Sequence, residues 1–360
     1  MRPTFAEGRA PAMSLPQTNS RPPFNITRAS HLALTSRDLA KARDFYTEVI
    51  GLKVSDETAT TIHLRGLEER AHHSLTLKRT KEEPACERVG FRVFEEEDLE
   101  KAKAHFDRNG IPAKFVNVPF QGRTLHVSDT AGTPLEFCAR MKTLPRTQTR
   151  THEHKGAGAL RMDHFQVLTP DVVSVASFYT GLGFRVSDYY CAAADRVIGI
   201  FMHRKDNPHD MVFLTRAGPR FHHFGYIVPE MHHVVRALDC AGNLGFGENI
   251  EHGPGRHGHG HSYYVYLRDP DGHRLELLLP AVQVIDIDEE PMRYDVKGGN
   301  TNLWGLPPPR SWFEECSPLT GAKVTAPDVQ GEPLTLEKYL FGKGQDAHVP
   351  DAAQRVAVRR

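Results

Sequence analysis

The sequence predicts an α+β protein made of tandem βαβββ modules, two structurally repeated domains in one chain. Three observations carry this expectation: a long internal echo, strand and helix periodicities in fixed alternation, and histidine and glutamate residues at repeat-equivalent positions. "ASHLALTSRDLAKARDFYTEVIGLKVSD" at 29–56 returns as "RMDHFQVLTPDVVSVASFYTGLGFRVSD" at 161–188, with His31 and His164 each 14 positions ahead of the Phe of an FY pair. "RVGFRV" at 88–93 returns as "HFGYIV" at 223–228, and "HVSDTAGTPLEF" at 126–137 as "YLRDPDGHRLEL" at 266–277. The offsets of 133, 135 and 140 positions drift only as short loop insertions would make them drift.

Taken in order, residues 1–27 are rich in Pro and polar side chains and are expected to be flexible. The first repeat spans 28–143. "HLALTS" reads as a strand, and "DLAKARDFYTEVI" carries apolar residues at helical spacing behind an Asp at the N-cap. "EEDLEKAKAHFDRNG" repeats the helical pattern and ends on a C-cap glycine. The polar, Gly-containing "LPRTQTRTHEHKGAGA" at 144–159 is the linker. The second repeat, 160–283, opens on "HFQVLTP" and "DVVSVASFYTGL" and closes on "YYVYLRDPDGHRLELLLP", a hairpin whose turn is D-P-D-G. Residues 284–360 form an extension expected to cover part of the site and to end in a mobile stretch.

Composition restricts the function classes. The chain has 360 residues, 39% hydrophobic and 25% charged, enough for two domains with cores of their own. Lys+Arg and Asp+Glu each number 45, so no basic field exists to attract nucleic acid or anionic lipid, and a small, uncharged partner fits better. Cys86, Cys138, Cys191, Cys240 and Cys316 are scattered without a CxxC pair, which disfavours a disulfide framework or zinc knuckle and points to a reducing cytoplasm. "LELLLPAVQVI" is too short to span a membrane and is broken by Pro280. The N-terminal stretch has no continuous apolar core and does not read as a secretory signal.

The chemistry concentrates in the second repeat, where His164, His223 and Glu276 occupy three strands. Two imidazoles and one carboxylate hold one face of a metal octahedron and leave the opposite positions for substrate and dioxygen, as in non-haem Fe(II) oxygenases. A lone strand histidine is more often structural, so the weight lies in three residues at repeat-equivalent positions. In the first repeat His31 and Glu136 persist, but the middle position is Arg88, a permanent cation that cannot ligate a metal and is expected to pair with Glu136. One metal site per chain follows.

With these motifs, "MHRKDNPHDMVFLTRAGPRFHHFGY" and "IEHGPGRHG", the sequence resembles the type I extradiol ring-cleaving dioxygenases of the vicinal oxygen chelate superfamily over about residues 28–315. It is most similar to the homoprotocatechuate 2,3-dioxygenase and catechol 2,3-dioxygenase groups. The resemblance implies the vicinal oxygen chelate fold, Fe(II) or Mn(II) on His164, His223 and Glu276, and extradiol cleavage of a catecholic substrate by O2 to a muconic semialdehyde-type product. It further implies a homo-oligomer, a tetramer, in aromatic catabolism. His222 then faces away, by strand alternation. His209 matches the acid–base histidine, Tyr266 the tyrosine at the substrate hydroxyl and His257 a pocket histidine.

Gln166, Phe201 and His252 stand in the substrate pocket where the nearest relatives carry Asn, Trp and Arg. "GGNTNLWG" at 298–305 stands where they carry an arginine pair. These departures imply a substrate with neutral substituents, unless Arg256, Arg293 or Arg310 supplies the missing charge. In "RHGHGH", His259 and His261 read as a solvated or adventitious tract. A trihydroxybenzene- or hydroquinone-type substrate is the near alternative. A glyoxalase-like isomerase or lyase would draw ligands from both repeats, which Arg88 spoils, and a metal-free binding protein has no use for the three-residue set.

Overall fold

The structure is a computed structural model that describes residues 15–296 and 301–341. The first 14 residues of the expected flexible segment, the 298–300 part of "GGNTNLWG" and the chain end from 342, expected to be mobile, lie outside the described residues.

The first module forms one sheet from β1 (Ile26–Ser36), β2 (Lys53–Glu57), β3 (Thr61–Arg65), β4 (Leu75–Arg79), β5 (Cys86–Val93), β6 (Lys114–Val118), β7 (Gly122–Ser128) and β8 (Pro134–Cys138), ordered β2-β3-β4-β1-β5-β8-β7-β6. The second repeats that order with β9 (Arg161–Thr169), β10 (Arg185–Cys191), β11 (Val197–His203), β12 (Met211–Thr215), β13 (Arg220–Ile227), β14 (Ile250–His257), β15 (Tyr263–Arg268) and β16 (Arg274–Leu278). Two strands from the extension, β17 (Met292–Asp295) and β18 (Asn302–Trp304), close its two edges. Helices α1 (Leu39–Asp44), α2 (Glu96–Arg108), α3 (Val172–Gly181) and α4 (Met231–Asn243) each follow the first strand of a βαβββ unit, so each module holds two such units.

Local chemistry accounts for the helix starts. Asp38 accepts from the Lys41 amide at 3.0 Å and Asp171 from the Ser174 amide at 3.0 Å, each satisfying an otherwise orphaned donor. Glu95 and Asp98 form a capping box at α2. The helix expected over 38–50 is α-helical only to Asp44; Phe45–Val49 is a π-turn closed by the Ile50 amide on the Phe45 carbonyl. The wider turn coincides with full burial of both Phe45 and Tyr46.

That FY pair explains itself in the packing. The Tyr46 hydroxyl donates to Asp269 of the D-P-D-G turn at 2.8 Å, and its repeat equivalent Tyr179 donates to Asp129 of the first module at 3.1 Å. Each module thus anchors the other through a buried hydrogen bond, and Phe91 packs edge-on against Phe165 between them. Tyr46→Phe leaves a buried carboxylate oxygen short of a partner, so we expect a loss of roughly 1–3 kcal/mol, read as a lower urea midpoint at unchanged m-value. An unmoved midpoint would remove this clasp from the account.

The N-terminal segment departs from its expectation. Thr18 Oγ1 donates to the Phe184 carbonyl at 2.9 Å, and Phe24, only 2% exposed, meets Phe106 and Phe137 edge-on. One aromatic with a pocket to fill outweighs the Pro-rich composition around it.

Candidate metal centre

The central strands of the second sheet bring the three candidates together. His164 lies on β9, His223 on the antiparallel neighbour β13 and Glu276 on β16, which runs parallel to β13. Gly225 makes room: a Cβ there would collide with the His164 ring. His164 Nε2 is 3.1 Å from His223 Nε2 and 3.1 Å from Glu276 Oε2, and His223 Nε2 is 3.4 Å from the same oxygen. All three side chains are buried, and one donor atom from each falls within 4.8 Å of the others.

The neighbours fix which nitrogen points inward. Asp163 Oδ2 accepts from His164 Nδ1–H at 2.9 Å, which leaves Nε2 as the nitrogen aimed at the other two side chains. Trp312 contributes only a carbonyl, so His222 Nε2 donates to it at 3.0 Å and His222 Nδ1 accepts from His223 Nδ1 at 2.7 Å. His223 Nε2 is thereby free. Such polar partners on the far ring nitrogen set the tautomer of metal-binding histidines. A set of two imidazoles and a carboxylate, pre-aimed at one point, fits a divalent transition metal. Asp163, His164 and His209 also cluster closely enough, but Asp163 is already engaged by His164 and by Asn207 Nδ2 at 3.0 Å.

Electrostatics agree with a cation at this point. Burial alone would depress His164, yet hydrogen bonds to Asp163 and Glu276 outweigh it and raise its pKa to about 9. Burial holds His223 down at about 4. Burial opposes ionisation of Glu276 too, but bonds from His164, His223 and His257 keep it well below the usual carboxylate range. Without metal, His164 is therefore an imidazolium up to pH about 9, and an ion must displace its Nε2 proton. Metal uptake at pH 7.5 should release close to one proton, seen as a calorimetric enthalpy that varies with the buffer's ionisation enthalpy, and the release should fade above pH 9. Uptake with no buffer dependence at pH 7.5 would contradict that protonation state.

Around the three lies a cavity of about 950 Å³. Gln166, Phe201, His209, His252, His257 and Tyr266 all line it. The His209 ring meets that of His164 edge-on at 4.4 Å, and burial, then the nearby His164, push its pKa well down. His209 Nδ1 and Gln166 Nε2 are buried with no hydrogen-bond partner among the described residues. His257 Nε2 is 3.1 Å from both the Tyr266 hydroxyl and Glu276 Oε1. His252 stacks parallel to Tyr266 at 5.7 Å.

Several expectations need correction. Arg88 does not pair with Glu136. It faces Ala33 across β1–β5 as His223 faces Gln166, which confirms the repeat equivalence, but its guanidinium goes to the Leu135 carbonyl. Glu136 is held by His31 at 2.8 Å and by His126 at 3.2 Å. His126 is the repeat equivalent of Tyr266, a substitution visible in the sequence and overlooked. His222 does not face away, because a register irregularity between Phe221 and His223 turns its ring onto His223, 5.0 Å between centroids. His261 is exposed, but His259 is buried in the cavity wall and bonded to the Tyr190 hydroxyl at 2.5 Å. Asp163 and Trp312 were missed. Trp312 arrives from the extension, docked by the buried Arg274, which pairs with Glu251 at 2.5 Å and donates to the carbonyls of Ser311 and Glu315.

The model of the Glyoxalase/Bleomycin resistance protein/Dioxygenase superfamily matches residues 28–137 and 161–277. A manganese-dependent 2,3-dihydroxybiphenyl 1,2-dioxygenase of Geobacillus genomosp. 3 is 26% identical over 286 residues, 75% of this chain and 90% of that protein. A metapyrocatechase of Geobacillus stearothermophilus is 23% identical over 85% of this chain and 98% of its own length. Among solved structures, homoprotocatechuate 2,3-dioxygenase from Brevibacterium fuscum, in its anaerobic complex with 3,4-dihydroxyphenylacetate, superposes with a TM-score of 0.81 at 33% identity, covering 87% of this chain and 99% of that one.

Proposed function

We propose, from the premise that the chain belongs to the glyoxalase/bleomycin resistance protein/dioxygenase superfamily, that it opens catechol rings by extradiol cleavage with O2 at one Fe(II) ion held by His164, His223 and Glu276. The observation that carries the reading is the buried donor triad on the cavity wall, with both imidazole Nε2 atoms turned inward by Asp163 and His222. The second module, 160–283, is the catalytic one. Mn(II) suits the same nitrogen and oxygen donors, and one relative is named as manganese-dependent.

An Fe(II) ion held by His164, His223 and Glu276 would supply Lewis-acid and one-electron chemistry that lets a catechol reduce O2 without an external reductant. The protein's own residues do the rest. Tyr266 and His257, sharing a hydrogen bond beside Glu276, are placed to hold a substrate hydroxyl and take its proton. His209 is kept neutral by burial, so its imidazole can accept and return a proton at the cavity wall beside His164. Phe201 and His259, 4.5 Å apart, pack beside His209 and would shield it from water.

A substrate with neutral substituents fits this pocket. Arg256 donates to the His261 carbonyl, Arg293 pairs with Asp195 and Asp295, Arg310 pairs with Glu314, and none of the three lines the cavity. Among the described residues, the arginines that do line it, Arg196 and Arg216, donate to the Val329 and Gly331 carbonyls. A buried carboxylate tail without such a partner costs several kcal/mol. We expect a higher kcat/KM for 4-methylcatechol than for 3,4-dihydroxyphenylacetate at low salt, within an oxygen-uptake screen that includes trihydroxybenzenes. A clear preference for the acid would mean that Arg196 or Arg216 leaves its carbonyl for the substrate. The five free thiols accord with a cytoplasmic enzyme, and a homotetramer completes the reading, to be weighed by light scattering.

A further inference from the structure

The first module carries an imidazole cluster of its own that adjoins the His31, His126 and Glu136 group, with the His31 and His73 rings edge-on at 5.9 Å. His63 on β3 and His72 and His73 in the loop before β4 are at most 6% exposed. One ring nitrogen from each lies within 4.8 Å of one from each of the others. His63 sits opposite Thr76 across β3–β4 as Phe201 sits opposite Val212 across β11–β12, so an imidazole replaces a pocket phenyl. His73, two residues ahead of β4, matches His209, two residues ahead of β12.

The hydrogen bonds leave lone pairs facing inward. Gln121 Oε1 accepts from His73 Nε2 at 3.1 Å, and the amide is oriented by its own Nε2 donating to Thr124 at 3.1 Å. His73 Nδ1 is then unprotonated, and it faces His72 Nδ1 at 3.1 Å. A proton or a metal ion must lie between two nitrogens at that distance. Ligands about 2.1 Å from one tetrahedral ion stand roughly 3.4 Å from each other, close to the spacing found. His63 Nδ1–H can donate to Thr76 Oγ1, 3.1 Å away, which leaves the Nε2 lone pair free.

We propose that His63, His72 and His73 form a second metal site, for a borderline divalent ion such as Zn(II), in the module that lacks the iron site. Three imidazoles with no carboxylate among them favour zinc, cobalt, nickel or copper over calcium or magnesium. Burial lowers the pKa of all three, His63 to about 4, so near neutral pH they are in the ligating form. The site has a structural consequence. In the same loop Glu69 accepts from the Gly66 amide at 2.6 Å, from Ser74 at 2.5 Å and from the Met162 amide at 3.1 Å. Met162 is on β9, two residues before His164, so an ion on this cluster pins the loop that steadies the start of the catalytic strand.

The test uses the full-length, iron-loaded protein dialysed anaerobically against Zn(II). We expect one zinc per chain in addition to iron and a higher thermal midpoint, because an ion that binds only the folded state stabilises it. His63→Phe, which installs the second module's side chain, should keep its iron while losing both the added zinc and the thermal shift. His72→Gln should behave alike and serves if His63→Phe does not fold. No zinc uptake by the unaltered protein, zinc that displaces iron, or uptake that survives both substitutions would overturn the proposal.

Discussion

His223→Ala is expected to give a folded protein that holds no iron and opens no ring. Of the three donors, His223 is the one whose counterpart in the first module is a residue unable to ligate, Arg88, and its Nε2 lies 3.1 Å from His164 and 3.4 Å from Glu276. Two remaining donors cannot close a facial set. His222→Ala is the matched comparison: it removes the group that accepts the Nδ1 proton of His223 and leaves every proposed ligand. Loss of such a supporting partner costs about 10–100-fold in metal affinity, so this variant should still fill with iron at saturating metal. Metal analysis after gel filtration separates the two. Equal iron in both variants would show that the ligand set has been assigned to the wrong histidine.

His209→Phe is expected to retain iron and catechol but to lose about 10²–10⁴-fold in kcat, the usual contribution of positioned acid–base assistance. The ring stands edge-on to His164 at 4.4 Å and to Phe201 at 5.4 Å, so a phenyl ring fills its space without disturbing the ligands. What disappears is the unpaired Nδ1 and its partner nitrogen, the groups able to carry a proton in this wall. Oxygen consumption should then exceed ring cleavage as reduced oxygen escapes. Measuring both on one sample decides the matter, and unchanged rate and coupling would take His209 out of the mechanism.

The fold and the meeting of His164, His223 and Glu276 were legible in the sequence because both depend on spacing. Duplication repeats every strand in register, so "RVGFRV" aligned with "HFGYIV" sets His223 against Arg88, and the β1–β5 and β9–β13 pairings agree. What tunes the triad was harder to read. Strand alternation sent His222 outward, but the irregularity beside Phe221 brought its ring back onto His223, a local bulge that no period-two argument contains. Trp312 comes from outside the repeat and reaches the cavity only because Arg274 is buried beneath it, 4.8 Å from its ring. The partner of Glu136 was a different kind of miss. His126 stands at the Tyr266 position of the repeat, and charge type alone had directed attention to Arg88. Phe24 shows the same limit, since composition averages over the one side chain that has a core to enter.

The central claim is that one Fe(II), in the second module alone, opens a catechol beside its hydroxyl pair. Anaerobic reconstitution with Fe(II), iron analysis, and simultaneous recording of O2 and product spectrum on 4-methylcatechol test it together. One iron per chain at the His164, His223 and Glu276 set, one O2 consumed per ring, and a yellow semialdehyde product are expected. A colourless dicarboxylic product from cleavage between the hydroxyls, or iron-loaded protein that consumes no O2 with any catechol offered, would contradict it.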